Sequence, residues 1–126
     1  MDSDSAAVIA EAEALLARGE HDARWEGAAM LEGFAATQPE VIWPLVVRFG
    51  SSQDSDLRAA IACCVLEHIL EHNFERYFAE SERLIVAGNL HFADTFSLCY
   101  AFGQAELPEN KKRFDALVEQ IEAKWA

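Results

Sequence analysis

Positive charge is scarce in this chain. Only 10 Lys and Arg stand against 22 Asp and Glu over 126 residues, a formal net charge of −12. Nucleic-acid phosphate and anionic membrane both demand a basic patch. The cations are scattered apart from Lys111, Lys112 and Arg113, so neither is expected as a partner. Long apolar runs are missing too: none approaches the ~20 residues that cross a bilayer. The opening MDSDSAAVIAEAEALL is acidic where a secretory signal is basic, so no export signal and a cytoplasmic location are expected. Cysteine is sparse. Cys63, Cys64 and Cys99 are odd in number and lack metal-type spacing. Neighbours on a helix point about 100° apart, so Cys63 and Cys64 cannot pair in regular geometry. All three are expected to be reduced core thiols. No segment combines two-residue alternation with β-branched enrichment, which excludes a sheet. No G-x-S-x-G, phosphate-binding loop or dinucleotide fingerprint occurs.

What is present is an ordinary globular composition, 52% hydrophobic and 25% charged, and enough length for one domain with its own core. The acidic surplus suits a basic protein partner, a cation, or solubility alone. Helical spacing and punctuation divide the chain into about seven helices. Residues 1–4 read as a flexible polar tail. Ser5 can cap a helix over 5–18 that Gly19 stops, and Asp22 can cap a second to about Ala36. Thr37-Gln38-Pro39-Glu40 matches a capping box for a third helix over 38–49, which Pro44 should kink or restart. Asp54 or Ser55 caps a fourth over 55–72, and Asn73 in a left-handed conformation separates it from a fifth over 74–87. A sixth covers 90–104. Pro108 opens a seventh to about Lys124, read as a capping element over 108–126. The reading is a single all-α domain over 1–126, with short connections that make sequential helices antiparallel neighbours.

The chain also repeats itself. Asp22-Ala-Arg24 and Asp56-Leu-Arg58 stand 34 residues apart, and at the same offset Ala28 meets Ala62 and Leu31 meets Val65. DARWEGAAML and DSDLRAAIACCVL, with the Pro-bearing PEVIWPLVVRF before the second, resemble the HEAT-like helical-repeat family over roughly 5–87, with a degenerate third repeat after it. The resemblance implies a short right-handed α-solenoid of stacked antiparallel pairs with a concave binding face. It names no partner.

On a helical wheel of Asp54–Phe78, Ala59, Ala62, Cys63, Leu66, Ile69 and Leu70 gather on one side. Glu67, His68, Glu71 and His72 gather opposite, as a narrow exposed ridge on a helix otherwise packed on both sides. Positions at the repeat offset add Glu26, Met30 and Phe34 on one flank and Asp94 on the other. Such a groove would attract a basic, partly apolar surface. His68-Ile-Leu-Glu71-His72 also resembles the inverted zinc-protease motif, in which two His at i and i+4 bind one zinc and Glu is the base. That family sets the motif in larger α/β domains with a distant third ligand. Here Glu67, Glu75 and His91 are the candidates and have no special spacing. Arg24 and Arg58, opening their helices alike, suggest repeat-to-repeat ion pairs. His21 and His91 read as exposed linker residues, and Tyr77 and Phe78 could reach the groove edge.

The leading expectation is therefore a non-enzymatic protein-binding module with an acidic concave face of Glu26, Met30, Phe34, Glu67, His68, Glu71, His72 and Asp94. No catalytic residue, cofactor or metal is assigned. A specific form is an immunity or inhibitor-type protein that masks a basic site. The alternatives are a metal-dependent hydrolase using His68, Glu71 and His72, a purely structural repeat domain, and a DNA glycosylase of the HEAT-like type, against which the net charge speaks.

Overall fold

The computed structural model describes residues 2–125. Among them the chain forms seven helices and no strand. These are α1 (Ser3–Leu16), α2 (His21–Glu32), α3 (Pro39–Gly50), the composite α4, α5 (Phe74–Val86), α6 (Leu90–Ser97) and α7 (Pro108–Trp125). α4 is α-helical over Ser55–Ile61, opens into a π turn over Ala62–Leu66 and closes to α-helix over Glu67–His72. A 3-10 turn, Gly103–Glu106, precedes α7. Among the described residues, no helix is long and apolar enough to cross a membrane.

Local chemistry sets most of these ends. The Asp54 carboxylate accepts from the backbone N–H of Asp56 and Leu57 at 2.9 and 3.1 Å, satisfying donors that the first turn of α4 leaves free. Asn89 caps α6 by accepting from Phe92 N at 3.0 Å. Gly19 and Gly88 adopt φ of 81° and 101°, the left-handed geometry that turns the chain out of α1 and α5.

Other expected ends differ. Asp2, not Ser5, caps α1, accepting from Ser5 N at 2.8 Å, so Ser3 and Asp4 are helical; Met1 and Ala126 lie outside the described residues. α2 starts at His21, which leaves Asp22 in its first turn. The Thr37 capping box does not form, because α3 starts at Pro39 after a Gln38 that makes no side-chain cap bond. Proline suits that first position, where its missing N–H costs nothing. α3 then continues through the exposed Pro44. Asn73 sits at φ −143° and ψ 59°, not left-handed. The sixth helix stops at Ser97, seven residues before its expected end.

α4 is the centre of the molecule. It touches α2, α3, α5, α6 and the 3-10 turn, and no residue from Asp56 to Glu71 is fully exposed. Leu57, Ala60, Ile61, Ala62, Val65, Leu66, Ile69 and Leu70 are buried along it. Tyr77 and Phe78 are core residues, 1% exposed, and do not reach a surface. They extend an aromatic chain in which Trp43 meets Tyr77 at 4.9 Å and Phe74 meets Phe78 at 4.8 Å. Phe78 continues to Phe96 at 6.0 Å, and Phe96 to Phe114 at 4.9 Å. These tilted and edge contacts are favoured by the ring quadrupole and link α3, α5, α6 and α7.

α1 and α2 approach closely at Gly27, where a Cβ would meet Ala12 O at 2.9 Å and Leu16 Cγ at 3.0 Å. The two arginines at matching repeat positions each make an ion pair to another helix, with acidic partners that do not themselves follow the repeat offset. Arg24 pairs with Asp54 at 2.7 Å and Asp56 at 3.4 Å, and Arg58 pairs with Asp94 at 2.9 Å. Each joins the start of one helix to the next helix of the α2, α4, α6 row.

Candidate functional site

The second half of α4 carries the polar residues of interest, and the π turn decides how they face. The Glu67 N–H bonds the Ala62 carbonyl, five residues back. One extra residue in a turn rotates everything after it by roughly 100° relative to a regular α-helix. Glu67 is consequently not on the exposed ridge. It is 7% exposed, and its Oε2 accepts from the backbone N–H of Tyr100 at 2.9 Å. Desolvation raises the Glu67 pKa, and the negative charges of Glu32 and Glu71 add to the effect against the opposing Tyr100 N–H bond and His68.

His68, Glu71 and His72 do come together. His68 Nδ1 lies 2.9 Å from Glu71 Oε1, and His72 Nε2 lies 3.7 Å from the same oxygen. His68 Nε2 faces Glu32 Oε1 of α2 at 3.6 Å. Glu32 is a member of this group that the wheel of α4 alone could not supply. Among the described residues, no Lys or Arg lies within 4.0 Å of Glu32, Glu67 or Glu71.

The segment 98–107 closes over this group. Gln104 acts as a clasp: its Nε2 donates to His72 O at 2.7 Å and its Oε1 accepts from Phe74 N at 2.9 Å. These bonds satisfy backbone groups left free where α4 ends and α5 begins. Gly103, at φ 53°, presses on α4 so closely that a Cβ would lie 2.6 Å from Glu71 Cγ and 2.8 Å from Glu71 O. Phe102 stacks on His68 with centroids 6.2 Å apart and planes 7° apart, and Tyr100 tilts against Phe102 at 6.4 Å. Tyr100 is 71% exposed, and Leu98 and Phe102 are each 39% exposed. A pinned loop thus displays large apolar side chains beside carboxylates that have no Lys or Arg partner among the described residues.

The other expected site residues stand apart. Glu26 is exposed, while Met30 and Phe34 are half-buried against the core. Asp94 pairs with Arg58, ten residues before His68 and so about 15 Å along α4. It also borders a cleft of about 270 Å³ with Leu90, Ser97, Ile121, Glu122 and Trp125. His21 is exposed but bonded to Asp56 at 3.0 Å, and His91 is half-buried beside Arg58. Among the described residues, no three His, Cys, Asp or Glu side chains are grouped to hold a metal ion.

The thiols are free and poorly disposed to react. Burial pushes Cys64 up to about 11, with Glu32, Cys63 and Glu67 adding to the shift, and pushes Cys63 up as well. Cys99 is buried, its Sγ donating towards Thr95 O at 3.6 Å and Ala62 O at 3.7 Å, and its pKa is raised well above the ordinary thiol value. The chain matches no known protein family, no curated protein and no solved structure.

Proposed function

We propose that the protein is a non-enzymatic binding module. Glu32 and Glu71, with the histidines beside them, form an acidic surface for the basic face of a protein partner, and the buried Glu67 adds its negative charge from within. The single observation that carries this reading is that, among the described residues, these three carboxylates have no Lys or Arg partner while most of the arginines are paired. Three neighbouring negative charges, one of them buried, repel each other in the free protein. A cationic surface would relieve that repulsion on binding.

In the same reading the scaffold is a short HEAT-like stack of helix pairs. Support comes from the 34-residue repeat, the interhelical ion pairs of Arg24 and Arg58 and the contacts of α4 with both α2 and α6. An immunity or inhibitor role, in which the acidic face masks a basic site, is the specific form proposed. The test is affinity capture from the native extract with the wild-type chain, with Glu32→Gln/Glu71→Gln, and with the exposed control pair Glu11→Gln/Glu82→Gln. A salt-sensitive partner held by the wild type and the control, and lost by the site variant, is the expected result. Equal capture by all three would remove this surface from the function.

A further inference from the structure

We infer that the loop carrying Tyr100 and Phe102 is the anchor of this binding surface and that the group it receives is an arginine side chain of the partner. The inference rests on the acidic-surface reading and adds the chemistry of the contact. Three features of the loop support it.

The first is rigidity. Tyr100 leaves the helical path so that its N–H can bond Glu67, Gln104 clasps the end of α4, and Gly103 admits no side chain against Glu71. A ring displayed on a pinned backbone loses little freedom on binding, which is the quality of an interface anchor. The second is exposure without compensation. Tyr100 is 71% exposed, so most of its ring is free. The third is charge. Glu67 accepts from the backbone of Tyr100 itself, and His68, stacked on the neighbouring Phe102, touches Glu32 and Glu71.

An arginine answers all of these at once. Its guanidinium stacks on an aromatic face while its N–H groups reach carboxylates, and it sheds water more readily than an ammonium. A lysine would gain the Coulomb attraction but not the planar stacking. A neutral apolar anchor would leave the carboxylates uncompensated.

Titration calorimetry at low salt with N-acetylated hexa-arginine and hexa-lysine tests the inference on the full chain. The wild type should bind hexa-arginine about two- to fivefold more tightly, the worth of one exposed stacking contact. Tyr100→Ala, which retains the N–H that bonds Glu67, should bind both peptides equally, and Tyr100→Phe should keep the preference. A preference that is absent, or that survives Tyr100→Ala, overturns the arginine anchor alone. Peptide binding that is absent, or no weaker in Glu32→Gln/Glu71→Gln than in Glu11→Gln/Glu82→Gln, overturns the acidic-surface reading and the anchor with it.

Discussion

The backbone N–H of Tyr100 donates to Oε2 of Glu67 across 2.9 Å, so a buried carboxylate on α4 holds the first residue of the exposed aromatic loop. Burial and the charges of Glu32 and Glu71 raise the pKa of Glu67. A carboxyl whose folded pKa exceeds its unfolded one is penalised when ionised. The penalty is complete above the folded pKa and absent below the unfolded one. Glu67→Gln keeps a carbonyl oxygen for Tyr100 and removes the charge. It should raise the thermal midpoint at pH 7, with the gain shrinking as pH falls through the carboxylate range. Glu67→Ala removes the acceptor and should lower stability by about 1–3 kcal/mol. Thermal unfolding from pH 7 to pH 4 checks both; a destabilised Glu67→Gln at pH 7 would contradict the penalty.

Asp56 has the opposite sign. The Trp25 indole N–H, donating at 3.0 Å, lowers its pKa most, with His21 and Arg24 adding to the effect. Its carboxylate therefore contributes stability above the unfolded pKa, and that contribution is lost as pH falls through the lowered folded value. Asp56→Asn should be less stable at pH 7 and lose less on acidification than the wild type. Urea midpoints at pH 7 and pH 3 read this directly.

Gly27 and Gly33 separate packing from propensity. A methyl group at Gly27 meets the Ala12 carbonyl at 2.9 Å, whereas at Gly33 the nearest atom is 4.0 Å away. Gly27→Ala should cost roughly 1–3 kcal/mol by forcing α1 and α2 apart. Gly33→Ala, at a helix-compatible φ of −59°, should be neutral or stabilising by up to about 1 kcal/mol. Chemical denaturation of the two variants should give midpoint shifts of opposite or clearly unequal size.

Thiol labelling reports on the α4 environment. With pKa values raised by burial, Cys63 and Cys64 should react with iodoacetamide at pH 7.5 more slowly than an unstructured thiol, and Cys99 only after unfolding. Mass spectrometry of partly labelled protein identifies the order. Rapid labelling of native Cys99 would contradict its burial.

Much of this architecture was legible from residues that act locally. Asp54 announced α4, Gly19 announced the end of α1, and the spaced Arg24 and Arg58 announced ion pairs between helices. The π turn was not legible. Nothing in Ala-Cys-Cys-Val-Leu marks an inserted residue, because packing selects the wider turn. Without it the wheel put Glu67 on the surface. The end of α6 was hidden for a related reason: residues 98–102 have helix-like spacing, but Tyr100 bonds Glu67, a partner 33 positions away. Glu32 and Tyr100 were missed as site residues because both join the group through contacts between elements, which spacing within one helix does not report.

In the proposed function the Glu32, His68, Glu71 group and its aromatic loop meet a partner. Hydrogen exchange of the chain alone and bound to the protein it captures tests this most directly. The expected result is added protection over residues 67–72 and 98–104. Protection confined to α1 or to the cleft beside Trp125, with those two segments unchanged, would contradict it.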